Sequence, residues 1–366
     1  MKKTTTTFIC SMIVLSLSIS SCKKDDNIGK SDKIQLEQLG NIKADEYSNF
    51  SYNFVGNPII GHSTGFFYEW DDAQWNKLGS AATLFNPTVV QDAMGNYFFT
   101  NSSSNQLQTL DKTTNTWVSA GLPSGSQPKL VANTNGDIVY RLAVTSITPK
   151  KWQWYKKAGN STTWIKFLEA NFTGGTGSSD GDINLIPVYL SNSGIVYMQK
   201  SGGILNKVLN TSTGVFSNLW DQTDLDNFPV LECGNYDHIT PQQINPDGTI
   251  YVTTRCLSDA KINLYKLEPN NSKFVKVQEF ERPQLNGTTS GADMHIDQNG
   301  KIRFKSAVNT GAGYSIHGLG LGTLNSSKLN IIEDDTQMWN MIKSPKGKVY
   351  LYNPNSDGDK YVYWWK

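Results

Sequence analysis

The sequence predicts an all-β fold assembled from repeated two-hairpin units. Three observations carry that expectation. A turn pattern of one small polar residue, two free positions and Gly recurs six times, each copy followed by a β-rich run. A second turn, between a Leu-bearing strand end and an aromatic residue, follows inside most units. No stretch beyond the N-terminal apolar segment has the 3.6-residue apolar period of an amphipathic helix.

The six turns read Asp92-Ala93-Met94-Gly95, Asn133-Thr134-Asn135-Gly136, Ser191-Asn192-Ser193-Gly194, Asn245-Pro246-Asp247-Gly248, Asp297-Gln298-Asn299-Gly300 and Ser344-Pro345-Lys346-Gly347. A short polar side chain in first place bonds the backbone two residues on, and Pro suits the second place of a type I turn. Gly in fourth place takes the left-handed conformation that closes a hairpin through a bulge. The glycines lie 41, 58, 54, 52 and 47 residues apart. Leu110 before Trp117, Leu209 before Phe216 and Leu267 before Phe274 mark the second hairpin, so each unit holds four strands. Repeats of that length and content match the blades of a β-propeller.

The units resemble those of NHL-type and kelch-like propellers, over nearly the whole chain after the N-terminal segment. Five full units fall between about residues 82 and 335, and residues 48–79 supply one more. The C-terminus offers strands at 338–343, 348–352 and 360–366, and 34–39 is placed to complete that blade. The expectation is a single propeller over 34–366, closed by N- and C-terminal strands in one blade. Seven blades are expected, with six and eight as alternatives.

Ahead of the propeller, Lys2 and Lys3 precede an apolar run over 8–19, and Ile19-Ser20-Ser21-Cys22 resembles the lipobox of bacterial lipoprotein precursors. The resemblance implies a signal peptide over 1–21, lipid on the Cys22 thiol, and a flexible tether over 22–33. Lys23-Lys24-Asp25-Asp26 resembles the export signal of surface lipoproteins of the Bacteroidota. The implied address is the outer membrane, exposed at the cell surface, with a periplasm-facing position as the alternative. Membrane contact is expected through the lipid alone, since about 20 apolar residues are needed to span.

Removing 1–21 leaves 31 basic against 32 acidic side chains, which gives no electrostatic basis for a nucleic-acid partner. Besides Cys10 and Cys22 the chain holds only Cys233 and Cys256, an even pair suited to a disulfide worth about 3 kcal/mol in an oxidising compartment. Two free buried thiols are the alternative.

For function, the informative feature is asymmetry between the two faces. The polar-x-x-Gly turns are tight, whereas the connections at 141–151, 171–182, 220–237, 255–261, 281–293 and 306–316 are long and leave on the opposite face. Candidate ligand contacts there are Trp152, Tyr236, Asp237, His238, Asp293 and His295. Both histidines follow or nearly follow an acidic residue, and their alternative role is a hydrogen-bonded strand end. The four histidines lack metal spacing, and only Arg141, Arg255, Arg282 and Arg303 are available for an arginine clamp. No catalytic residue, metal or cofactor is expected. The leading expectation is a non-catalytic, monomeric binding module for a glycan or partner protein. The alternatives are an envelope hydrolase or lyase using Glu232, Asp237 and Asp293, and a structural component of an envelope complex.

Overall fold

The computed structural model describes residues 34–43, 49–62, 64–82, 88–101, 104–171, 185–199, 205–219, 239–254, 261–269, 271, 273–285, 288–289, 291–309, 315–335, 339–352 and 361–366. Among them no helix is long and apolar enough to cross a membrane. The N-terminal strand β1 is Leu36–Lys43. The first meander holds β2 (Asn49–Tyr52), β3 (Pro58–Gly61), β4 (Phe67–Trp70) and β5 (Trp75–Leu78). The second holds β6 (Val89–Gln91), β7 (Tyr97–Asn101), β8 (Gln106–Asp111) and β9 (Thr116–Ser119). The third is β10 (Ser126–Ala132), β11 (Ile138–Val144), β12 (Lys151–Lys157) and β13 (Ile165–Asn171). The fourth is β14 (Ile186–Leu190), β15 (Ile195–Gln199), β16 (Leu205–Asn210) and β17 (Val215–Asn218). The fifth is β18 (Ile239–Ile244), β19 (Ile250–Thr254), β20 (Lys261–Leu267) and β21 (Val275–Glu281). A short hairpin, β22 (Gln284–Leu285) and β23 (Thr288–Thr289), leads into β24 (Gly291–Ile296), β25 (Lys301–Asn309), β26 (Ser315–Thr323) and β27 (Asn330–Asp335). Last come β28 (Asn340–Lys343), β29 (Val349–Tyr352) and β30 (Tyr361–Trp365).

Strand order is sequential within each meander, and β1 pairs antiparallel with β30 to finish the last one. The first two meanders share one sheet through a parallel bridge of Tyr52 with Val90 on β2 and β6. The closure expected for 34–39 is thus what β1 performs, with Leu36 opposite Trp365 and Gln38 opposite Tyr363. It covers the edge of β30 that an open sheet would leave unpaired.

A hydrophobic cluster lies between each meander and the next. Ile59 and Phe67 meet Phe99 and Trp117 between the first and second. Val139 and Trp154 meet Val196 and Met198 between the third and fourth. Leu39, Tyr350 and Val362 meet Ile60 where the last meander returns to the first, so the ring is closed. The second strand of a meander is buried on both faces, which is why it reads as a continuous apolar run, as in β11 (Ile-Val-Tyr-Arg-Leu-Ala-Val). Each fully buried Ile, Phe or Leu in these clusters is worth about 1.5–3 kcal/mol.

All six sequence-predicted turns form, and Asn53-Phe54-Val55-Gly56 is a seventh copy. In each, the first residue donates its N–H to the carbonyl four residues on, and the Gly N–H donates back to the first carbonyl, at 2.8–3.1 Å. Their glycines all have positive φ, from 75° to 95°. Asn53 Oδ1 accepts from the N–H of Val55 (3.1 Å) and Asn57 (2.8 Å), as Asp92 Oδ1 does from Met94 (2.9 Å) and Asn96 (2.8 Å). The seventh copy is hidden in the sequence by apolar Phe54 and Val55 in the free places and by Pro58 in the run that follows.

Two connections are shorter than expected. Residues 141–144 continue β11 and 306–309 continue β25, so much of the expected loops 141–151 and 306–316 is strand. Arg141 is tolerated inside β11 because its guanidinium stacks 4.1 Å from the Trp152 ring and donates to the Leu185 carbonyl. Burial lowers its pKa to about 9. A second buried cation, Lys157, pairs at 2.5 Å with Asp92, the first residue of the second turn. Their side chains are 2% and 0% exposed, so the pair bolts the third meander to the second out of reach of solvent.

Candidate functional site

The first strand of every meander faces the centre of the ring: residues of β2, β6, β10, β14, β18, β24 and β28 line one central cavity. The stretches that lead into the polar-x-x-Gly turns, and the turns themselves, enclose a cavity of about 1370 Å³. It reaches the turn side of the ring at Asn245, Asp247, Asp297, Ser344 and Gly347.

An inner edge strand carries unpaired backbone groups, and side chains satisfy several of them here. Val89 N–H donates to Ser51 Oγ (3.0 Å) and Phe54 N–H to Gln91 Oε1 (2.9 Å), between the first and second meanders. Between the fifth and sixth, Gln242 Oε1 accepts from Met294 N–H (2.6 Å) and Gln243 Oε1 from Ile296 N–H (2.9 Å). Gln243 Nε2 also donates to the Ile296 carbonyl (3.1 Å). Two consecutive glutamines reach the same neighbour because β18 has a bulge between Pro241 and Gln243, which breaks the strict alternation of faces. Lys343, at the end of β28, donates to the Gln242 carbonyl (2.7 Å) and pairs with Asp293 Oδ1 (2.7 Å). Burial lowers its pKa, opposed by the Asp293 charge.

His295 follows two residues after Asp293 on β24 and lines the cavity. It is 2% exposed, and both ring nitrogens are buried, with the Gly347 backbone nearby. Burial, with Lys343 and Arg303 nearby, pushes its pKa down from the ordinary 6.5 to about 4, against a smaller opposing pull from Asp297 and the Gly347 backbone. The imidazole is therefore neutral at physiological pH, with one donor and one acceptor. Ile186 and Val188 on β14 line the same cavity and are each 37% exposed, in a strand whose Pro187 and Leu190 are buried. At the turn end, Lys346 reaches from the last turn to the Thr134 carbonyl of the third (3.0 Å), its ammonium 5.0 Å from the Phe54 ring centre.

Of the sequence-predicted site residues, the structure places His295 on the wall of the central cavity. Asp293 is held by Lys343 and faces a smaller cavity of about 400 Å³ with Lys305 and Asn340. Trp152 is 1% exposed and packs beneath Arg141, because strand β12 turns it into the sheet. A ring so placed has no face left for a ligand. Cys22, Cys233, Cys256, Glu232, Tyr236, Asp237 and His238 lie outside the described residues, as do most of the long connections. Among the described residues no group of three or more His, Cys, Asp or Glu is arranged to hold a metal ion. Sequence reasoning missed Gln242, Gln243, Lys343, Ile186 and Val188. Each stands shortly before a polar-x-x-Gly turn, and counting back from the turn would have placed them on the inner strand.

No family model matches the sequence, and no curated protein is significantly similar to it. Solved structures match over nearly the whole chain. Oligogalacturonate lyase from Vibrio parahaemolyticus superposes with a TM-score of 0.55 at 9% identity, covering 92% of this chain and 94% of that one. YCF48 bound to a D1 peptide gives 0.53 at 13% identity, over 90% and 96%. A catalytically inactive virginiamycin B lyase from Staphylococcus aureus with quinupristin gives 0.50 at 12%, over 91% and 100%. At these identities the likeness shows the fold, a β-propeller, and carries neither ligand nor chemistry across.

Proposed function

We propose that this chain is a lipid-anchored propeller of the bacterial envelope, displayed at the outer membrane, that serves as a non-catalytic binding module for a glycan or partner protein. The observation that supports it is the central cavity. Its volume of about 1370 Å³ exceeds what side-chain packing leaves by accident, and its wall presents the exposed aliphatic side chains of Ile186 and Val188. Of the carboxylates invoked for hydrolase or lyase chemistry, Asp293 is occupied by Lys343 at 2.7 Å, and Glu232 and Asp237 lie outside the described residues.

Two experiments test the two halves of the proposal. Cys22→Ala should move the protein from the membrane fraction to the soluble fraction; a variant that still pellets refutes the lipid anchor. Val188→Trp narrows the cavity from an exposed position and should weaken capture of envelope glycans or proteins by the immobilised chain without lowering the melting temperature. Capture undiminished by this variant removes the channel from the function, and turnover that depends on Asp293 would replace binding by catalysis.

A further inference from the structure

We infer that the smaller cavity, of about 400 Å³, is a second binding site that takes the oxyanion of an organic acid, a carboxylate or a phosphate ester, with Lys305 as its ion-pairing group. It is separate from the central cavity on which the binding-module reading rests.

Register decides where the cavity lies. Asp293 on β24 stands opposite Lys305 on β25, and Asn340 on β28 stands opposite Tyr352 on β29. Each of the four is four or five residues from its polar-x-x-Gly turn, and Phe50 on β2 is three residues ahead of Asn53. All five line the cavity, so it opens at the strand ends away from those turns, on the face of the long connections.

Charge decides the sign of the ligand. Asp293 Oδ1 is taken by Lys343 Nζ at 2.7 Å, so that carboxylate is already neutralised. Lys305 has no ion pair or hydrogen bond among the described residues, and its charge adds to the burial that lowers the Lys343 pKa. Two lysines against one carboxylate leave a single positive charge in excess, which favours an anion over a neutral or cationic ligand. Lys305 is also half-buried on the cavity wall, so part of its hydration is lost, and an oxyanion accepting from its ammonium restores what the wall removes.

The rest of the wall decides the class of anion. Asn340, hydrogen-bonded to Tyr352, adds an amide beside the ammonium. The Phe50 and Tyr352 rings, with centres 4.3 Å apart, supply an apolar side. An inorganic ion uses only the polar half of this wall, whereas an organic acid lays its carbon part on the aromatic half.

Met341 also lines the cavity, so the test follows its resonance in the full chain with 13C-methyl methionine, identified by its loss in Met341→Leu. Benzoate, acetate, phenyl phosphate, inorganic phosphate and methylammonium are titrated at one ionic strength held with sodium chloride. Benzoate or phenyl phosphate should shift the resonance saturably and bind more tightly than acetate or inorganic phosphate, and the stronger of the two names the oxyanion. Lys305→Gln should weaken that binding about tenfold, the loss of one charge-assisted hydrogen bond, with the melting temperature unchanged. Val188→Trp, in the fourth meander, should leave it intact, so failure of this site and failure of the binding-module reading are seen separately. No saturable shift with any of the four anions, a response to methylammonium instead, or binding indifferent to Lys305→Gln overturns the inference.

Discussion

Acidification should destabilise this protein through His295, and the size of the effect follows from its surroundings. In the unfolded chain the imidazole titrates near 6.5; in the folded chain burial, with Lys343 and Arg303 nearby, holds it near 4. Above about pH 7 the ring is neutral in both states and contributes nothing to the pH dependence. As pH falls through 6.5 the unfolded chain gains a proton that the folded chain refuses, so stability drops until the folded ring also titrates near 4. The full difference corresponds to about 3 kcal/mol, of which about 2 kcal/mol is lost by pH 5. Urea unfolding of the wild type and His295→Leu between pH 7.5 and 4.5 measures it, because contributions from the carboxylates and the other histidines are common to both and cancel. The variant should match or exceed the wild type at pH 7.5, since Leu leaves no polar nitrogen in a dry site, and its advantage should grow by about 2 kcal/mol towards pH 5. Parallel pH profiles would refute the reasoning, for they would mean that the ring is charged or solvated in the folded protein.

Three further outcomes are expected. Lys157→Met strands the Asp92 carboxylate at a site 0% exposed and should cost about 3–5 kcal/mol in chemical denaturation, whereas a surface pair such as Lys276–Glu279 should cost under about 1 kcal/mol when Lys276 is replaced. Gly248→Val places a branched side chain at φ 95°, with its Cβ 2.6 Å from the Tyr197 hydroxyl, and should lower stability by about 1–3 kcal/mol, read from the shift of the unfolding midpoint. Mass mapping of the unreduced protein should recover Cys233 and Cys256 as one cross-linked peptide pair; two alkylatable thiols would show the pair to be unbonded.

The fold was legible because its punctuation is local. A residue such as Asp92 or Asn133 that bonds the backbone two and four residues on, followed by a glycine at positive φ, makes the same hairpin wherever it falls in the chain. Spacing between such turns then sets the number of strands, and the leftover strand at the N-terminus completes the one unit of three strands by pairing with β30. Legibility failed where the same backbone geometry is reached with uninformative side chains. Asn53-Phe54-Val55-Gly56 makes the turn with apolar residues in its free places, and β11 runs on through Arg141 because Trp152 covers the charge. A charged residue ends a strand in the sequence pattern only when nothing in a distant strand stacks on it.

The site was legible in part, and the reason lies in which groups a closed ring leaves unpaired. A four-stranded unit satisfies every backbone group except those on its two outer edges, and in this ring the described innermost edges meet another strand only at the Tyr52–Val90 bridge. Side chains must satisfy the rest, and which ones do so depends on register between meanders. Gln242 and Gln243 meet Met294 and Ile296 across 52 and 53 residues of sequence, a pairing that no spacing rule within one unit contains. His295 was singled out for its acidic neighbours, yet Asp293 is bound to Lys343, and what sets the imidazole apart is its burial beside Lys343 and Arg303. Surface aromatics were weighted for the opposite face, and the one described, Trp152, is committed to the sheet. Residues two to four places before each polar-x-x-Gly turn, including Val188, Gln242, Gln243 and His295, are therefore where variation in this protein should change what it binds. The turns, whose polar groups are spent on their own backbone, should change only whether it folds.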